Sequence, residues 1–235
     1  MDHQLTARMD ELMRVATVLV DGGIEFYVVG GHAVSALATP RFSNDFDIVI
    51  ERGAVDDIEE ILTAEGFIKS IERRDLDEIY GGEFIQYVKD LGGYPIKVDL
   101  LVNGLVCRDT GASWGFEYIK KNSQSAILVG SAAVSVAKRE LVIALKLHSA
   151  RKPDIRDVVI LVEDADIPTT AAHIPRGNQE ALEKQLDKFE SALDDPRLLD
   201  SLKGVFRFGE GAKEQIDEAR EFFLNLREYL YSEKS

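Results

Sequence analysis

The sequence predicts an α+β fold: a mixed β-sheet flanked by helices, followed by a C-terminal helical region. Three observations carry this. Short runs rich in β-formers, FDIVI at 46–50 and YPIKVDLLV at 94–102, read as buried strands. Segments of helical period lie between them in the first half. From Ser135 onward the chain reads as mostly helical, broken at Pro168, Pro175 and Pro196.

The elements follow from the punctuation. Gln4 to Asp21 has amphipathic helical spacing and stops at Gly22-Gly23. Phe26 to Val29 is a strand that runs into Gly30-Gly31 and a helix reaching Leu37, and Pro40 ends that helix before the Asp45 strand. AVDDIEEILTAEG at 54–66 is a helix closed by Gly66. EFIQYVKDLGGYPIKVDLLV at 83–102 reads as two antiparallel strands joined around Gly92-Gly93. Glu117 to Leu128 is expected to supply another strand or two. NQEALEKQLDKFESALDD at 178–195 and the segment from Gly211 to the end have helix-forming composition, with Phe222, Phe223, Leu226, Tyr229 and Leu230 as a packing stripe. RLLDSLKGVFRFGEG at 197–211 reads as a short helix and a loop. No internal repeat or low-complexity tract stands out.

Chemistry concentrates at Asp45 and Asp47. A strand sends alternate side chains to one face, so both carboxylates emerge together, roughly 7 Å apart along the backbone. Phe46, Ile48 and Ile50 form the opposite, apolar face. A lone Asp-x-Asp is most often a solvated strand end. Two acids on a strand that otherwise reads as buried are costly unless they are paired or metal-bound. Asp99 repeats the pattern in the middle of a second apolar strand, with Lys97 as a near partner on its face. If the two strands are neighbours, three carboxylates gather where divalent metals could serve phosphoryl or nucleotidyl transfer. Gly30-Gly31 lies on the turn before a helix, where backbone amides can face a phosphate.

The order Gly-Gly, helix, Arg-x-Ser-x-Asp-x-Asp, then a distant strand Asp resembles the nucleotidyltransferase superfamily of DNA polymerase β type. It resembles most its AbiEii-like branch, which includes toxins of bacterial toxin–antitoxin pairs. Val29-Gly30-Gly31-His32-Ala33, Arg41-Phe42-Ser43-Asn44-Asp45-Phe46-Asp47 and Val98-Asp99 carry the match. It extends into SVAKRELVIALKLHSARKPDIRDVVIL through Lys146, Arg151 and Arg156-Asp157, and covers about residues 24 to 162. The wider superfamily usually has Gly-Ser where this chain has Gly30-Gly31, which removes a serine contact to phosphate; the branch accepts Gly-Gly. The resemblance implies a nucleotidyltransferase-type sheet over 1–133. A helical region over 134–235 would then continue the cleft to about 162 and form an annex beyond it. It implies transfer of a nucleoside monophosphate from an NTP such as ATP, with Mg²⁺ or Mn²⁺, to an acceptor hydroxyl. Asp45, Asp47 and Asp99 would be catalytic and hold the metal. Gly30, Gly31, His32, Arg41, Ser43, Lys146, Arg151 and Asp157 would bind the nucleotide. The acceptor would be RNA, such as a tRNA end, in a toxin role with an antitoxin partner. Transfer to a small aminoglycoside-like compound and a non-catalytic binding or regulatory role are the alternatives.

The residues of KRELVIALKLHSA bear on this independently. Leu141, Ala144, Leu145 and His148 share one side of a helix, and Lys146 lies off that stripe as a point charge available to a triphosphate. Arg151, Lys152 and Arg156 surround Pro153, which should start the next helix. Taken alone this is an ordinary solvated basic face beside Asp154 and Asp157. His148 reads as a packed or hydrogen-bonded histidine rather than a catalyst. His32 reads either as a phosphate contact or as a filler of its helix's first turn.

Composition sets limits. The 235 residues carry 42 acidic against 28 basic side chains, a net charge of −14, so general affinity for nucleic acid should be low and any RNA must dock on local positive charge. No apolar stretch is long enough to span a membrane, and the N-terminus lacks a basic start and a cleavage site. The single Cys107 cannot form an internal disulfide. These features lead us to expect a cytoplasmic protein.

Overall fold

The computed structural model describes residues 3–128, 133–206 and 211–232. The loop expected around 207–210 lies outside them. The chain forms two compact units. Unit 1 comprises 1–36, 40–106 and 113–137; unit 2 comprises 37–39, 107–112 and 138–235.

Unit 1 opens with helix α1 (His3–Asp21), strand β1 (Tyr27–Val28), helix α2 (Gly30–Leu37, whose last residue clusters with unit 2) and strand β2 (Asp45–Ile50). Helix α3 (Val55–Ala64) and strands β3 (Ile68–Arg73), β4 (Glu83–Asp90) and β5 (Pro95–Val102) follow. Two short strands, β6 (Gly104–Val106) and β7 (Ser113–Gly115), precede helix α4 (Phe116–Lys121) and strands β8 (Ser123–Ile127) and β9 (Ala133–Ala137). The main sheet has the order β3-β4-β5-β2-β1-β9-β8; β6 and β7 pair separately. It is mixed: β2 runs parallel to β5 and β1 parallel to β9, while the other pairs are antiparallel.

The central strands are the most apolar ones. Phe46, Ile48, Val49 and Ile50 of β2 and Ile96, Val98, Leu100 and Val102 of β5 are fully buried. Leu12, Val15, Ala16 and Leu19 on α1 and Ile58 and Leu62 on α3 are fully buried as well. Each of these Val, Leu, Ile and Phe side chains contributes about 1.5–3 kcal/mol by leaving water. The β4–β5 hairpin turns at Gly92 and Gly93, both with positive φ (67° and 89°), and Asp90 accepts the Gly93 amide. Only glycine adopts two such residues in succession at low cost.

One expectation needs correction, and two elements were not anticipated. Phe116–Lys121 is a helix, so 117–128 holds α4 and one strand, β8. Its single turn buries Phe116 and Ile119, too short a repeat to reveal its period in the sequence. Ala133–Ala137 is a strand, so helix resumes at Arg139 rather than at Ser135. β3, with the polar sequence IKSIER, is a largely exposed edge strand that no apolar alternation marks.

Unit 2 is helical: α5 (Arg139–Ser149), α6 (Lys152–Leu161), α7 (Ile167–His173), α8 (Gln179–Leu193), α9 (Pro196–Phe206) and α10 (Ala212–Ser232). α5 is buried from Leu141 to His148. Pro153 falls in the first turn of α6 and Pro168 in that of α7. α8 and α10 meet through Phe189 and Phe223, ring centres 5.0 Å apart. Phe222 and Leu226 complete the buried stripe of α10, while Tyr229 and Leu230 are half-buried. His148 is buried, joined to Thr110 Oγ1 at 2.8 Å and Ile174 O at 2.9 Å. Burial lowers its pKa to about 4. Cys107 is buried and donates to His148 O. Among the described residues no helix is long and apolar enough to cross a membrane.

Candidate active site

Parallel pairing of β2 with β5 brings the acids of unit 1 together. The register sets Asp47 directly opposite Asp99, and Asp45 opposite Lys97. Residues opposed across neighbouring strands face the same side of a sheet, so the three carboxylates and Lys97 share one face. Lys97 Nζ lies 3.3 Å from Asp45 Oδ1, an ion-pair distance without hydrogen-bond alignment. Lys97 thus pairs with Asp45, while its charge also reaches Asp99, whose hydrogen bond comes from elsewhere. β4 supplies it: Gln86 sits opposite Asp99 and donates Nε2 to Asp99 Oδ1 at 2.9 Å.

Asp99 is 9% exposed. Burial raises its pKa to about 6, with a hydrogen bond from Gln86 opposing the rise and the nearby Asp45 charge adding to it. A buried acid in a group of three is held there against its solvation preference. A hard cation would relieve that crowding.

The β1–α2 turn closes on this face. Val29 N donates to Asp47 O at 3.0 Å. Gly30 has φ +65°, and a Cβ at that position would overlap the Asp47 carboxylate. A Cβ on Gly31 would stand 2.9 Å from both Arg41 Nη2 and Ser43 Oγ. Glycine is therefore required at 30 by conformation and by close approach. At 31 it makes room for the Arg41–Ser43 loop. Ser35 on α2 ties that loop down, bonding Gly31 O and Arg41 O, and Ser43 Oγ donates to Asp45 O.

His32 is buried against Phe46, ring centres 5.5 Å apart, and its Nε2 has no hydrogen-bond partner among the described residues. Burial first, and then the Arg41 charge, lower its pKa to about 4, so the imidazole is neutral near pH 7.

Oxygen donors of this kind suit Mg²⁺ or Mn²⁺. Asp45 Oδ1 is buried without a hydrogen bond among the described residues, and Asp47 and Asp99 sit side by side. Among the described residues no three acidic, histidine or cysteine side chains form a ready-made metal cage. Mg²⁺ is characteristically held by one or two carboxylates together with substrate phosphates, so the donor set fits that mode.

The remaining candidates lie in unit 2. Lys146 is buried, its Nζ 2.7 Å from Asp157 Oδ2 and 3.0 Å from Asp154 Oδ1, with a side chain 7% exposed. Asp154 also accepts Ser149 Oγ at 2.5 Å and Arg151 Nε at 2.7 Å. Burial pushes Asp154 upward, but Lys146 and the bonds from Arg151 and Ser149 more than offset it and hold the carboxyl well below the usual range. The Arg151 side chain is 73% exposed.

The family model for the AbiEii nucleotidyl transferase toxin of type IV toxin–antitoxin systems matches residues 12–203. The chain belongs to the AbiEii family. Its fold is that of solved nucleotidyltransferase-like structures. A proposed nucleotidyltransferase from Helicobacter pylori matches with TM-score 0.54 at 15% identity, covering 99% of this chain and 98% of the other. JHP933 from Helicobacter pylori matches with TM-score 0.50 at 14% identity, covering 100% and 96%. The antibiotic-resistance factor ANT(2'')-Ia matches with TM-score 0.44 at 14% identity, covering 98% of each chain. No curated protein matches the chain.

Within this AbiEii chain, unit 1 gathers Asp45, Asp47, Asp99, Gly30, Gly31, His32, Arg41 and Ser43. Unit 2 gathers Lys146, Arg151 and Asp157. Sequence reasoning missed Gln86, Ser35 and Asp154 as members of these clusters. Gln86 carries a signal only once β4 is set antiparallel to β5, because the register alone makes it Asp99's neighbour. In the sequence Asp154 is only an acidic neighbour of the basic stretch, yet it binds Lys146, Ser149 and Arg151 together.

Proposed function

We propose that this AbiEii-family chain transfers a nucleoside monophosphate from an NTP to an acceptor hydroxyl with the help of a divalent metal. The observation that carries the reading is the opposition of Asp47 and Asp99 on parallel strands, with Asp45 on the same face and Gly30 pressed against Asp47. Asp45 and Asp47 would hold the metal, joined by Asp99. When bound, it would neutralise charge on the phosphates and polarise the α-phosphate.

The chain's own residues do the rest. The Gly30-Gly31 turn admits the triphosphate close to backbone, and Arg41 and Ser43 orient it. His32, neutral and buried, offers a hydrogen bond rather than a charge. The acceptor oxygen attacks the α-phosphorus, a new O–P bond forms, and the bond to the β-phosphate oxygen breaks to release pyrophosphate. The acceptor proton passes to a carboxylate. Asp99 is suited to take it: Oδ1 is occupied by Gln86, and its raised pKa is nearer neutrality than an ordinary Asp. In unit 2 we assign Lys146 and Asp157 to positioning, since the ammonium is engaged by two carboxylates. Arg151 has the exposed surface to meet an anion. The acceptor we favour is RNA, in a toxin role.

The test is transfer of label. Purified protein is incubated with Mg²⁺, each α-labelled NTP and total cellular RNA. Labelled RNA with wild type is expected. Asp47→Asn should lower it by at least about a hundredfold, the loss typical of removing one charge-stabilising group, with the far-UV spectrum unchanged. Label in a small hydroxyl compound instead would replace RNA as acceptor. Equal turnover by wild type and Asp47→Asn would end the metal reading.

A further inference from the structure

Unit 2 contains a cleft of about 290 Å³ that shares no residue with the carboxylate cluster or with the Lys146 network. Three helices bring four cations to it: Lys152 and Arg156 from α6, Lys188 from α8 and Arg197 from α9. Asp195 also lines it, and is engaged by Arg197 at 2.7 Å. Lys152, Arg156 and Lys188 make no ion pair among the described residues; Arg156 donates instead to Ser201 Oγ at 2.8 Å.

Other cations of unit 2 are paired. Lys146, Lys184, Arg220 and Arg227 are each matched to carboxylates. In a chain of 42 acids and 28 bases, four clustered cations set against the single lining carboxylate of Asp195 leave an excess of positive charge for a ligand to offset.

We propose that this cleft binds a phosphomonoester. A carboxylate would cancel one of the three uncompensated charges. A phosphomonoester carries about −1.5 to −2 near neutrality and presents three acceptor oxygens, a closer match. Arg156 offers the planar donor fork that phosphate oxygens accept. Ile155 and Leu198 give the cleft an apolar lining beneath the cations, so the ligand has an organic body as well as an anionic group. A nucleotide has that shape. The phosphate could belong to a free mononucleotide or to the phosphorylated 5′ end of an RNA strand. The site goes beyond the transfer reading and does not rest on it.

The test measures binding to the full chain in EDTA, so that metal-dependent binding at the carboxylates does not contribute. The probes are AMP, adenosine, a short RNA with and without a 5′ phosphate, and a polyglutamate peptide. At least one phosphorylated probe should bind, on the order of tenfold or more tighter than its unphosphorylated counterpart. Lys152→Gln with Lys188→Gln, both exposed positions, should keep the melting temperature and weaken binding on the order of tenfold. AMP binding at least as tightly as the phosphorylated RNA identifies the mononucleotide; tighter binding of the RNA identifies the strand end. The proposal falls if no phosphorylated probe binds more tightly than its unphosphorylated counterpart, or if the double variant binds as wild type. Competition by polyglutamate as effective as AMP would also overturn it and mark the cleft as a surface for an acidic protein.

Discussion

Gly30 holds a backbone conformation that side chains avoid and a position that a side chain would share with Asp47. These two constraints can be separated by experiment. Gly23 has nearly the same φ, +71°, but nothing within 4 Å of where its Cβ would stand. Placing alanine at either site costs about 1–2 kcal/mol for the left-handed conformation. That corresponds to a loss of about 2–8 °C in a domain of this size. Gly30→Ala must also displace the Asp47 carboxylate. Both variants should melt lower, and only Gly30→Ala should lose transfer, by at least about tenfold for a misplaced group. Thermal melts and label transfer on the pair decide it; equal activity in both would remove the Gly30–Asp47 approach from the mechanism. The glycine pair, the three acids and the Arg41–Ser43 loop were legible as residues because each breaks the pattern around it. Their partners were not. Gln86 and Ser35 are ordinary polar residues in ordinary places, and only the sheet register and the α2 loop give them a role.

At the scale of elements, the α5–α6 junction shows how a stretch can be recognised and its interior misjudged. KRELVIALKLHSARKPDIRD was expected to present Lys146 off an apolar stripe. α5 is instead buried around its whole circumference from Leu141 to His148, so no off-stripe side exists there. The lysine's charge is matched internally by Asp154 on the first turn of α6 and by Asp157. Periodicity reports a helix's face only when one side meets water. Removing one partner of a buried pair typically costs about 3–5 kcal/mol. Asp154→Asn should therefore be destabilised by a few kcal/mol at neutral pH. The sign of the pH effect follows from the depressed pKa of Asp154. Its stabilisation is complete above the unfolded carboxylate value of about 3.9 and is lost as pH falls toward the lower folded value. Denaturant midpoints taken across pH should show a constant gap between wild type and variant from neutral down to about pH 5. The gap should narrow below about pH 4. A gap unchanged to the acid limit would assign the loss to packing rather than charge.

For the whole molecule, charge is the property that sequence alone settles, and its distribution is what sequence could not give. The net charge of −14 is a count. That Lys152, Arg156, Lys188 and Arg197 share one cleft depends on three helices meeting, which no spacing encodes. The same count has a consequence for stability. Most of the ion pairs are at least partly exposed, as in Arg197–Asp195 and Lys184–Glu180, and solvent screening leaves each of them a small contribution. Against them stands the repulsion of an excess of carboxylates confined to a compact chain. Raising ionic strength from about 0.01 M to about 0.15 M shortens the screening length from ~30 Å to ~8 Å. Attraction within a contact pair survives that change better than repulsion between carboxylates many ångströms apart. Salt should therefore raise the melting temperature, by about 2–4 °C for each kcal/mol of repulsion removed. The buried Lys146–Asp157 pair, shielded from solvent, contributes little to the change. Thermal melts across sodium chloride at neutral pH, without divalent metal, measure it. A fall in melting temperature would show instead that exposed pairs such as Arg197–Asp195 outweigh the excess charge.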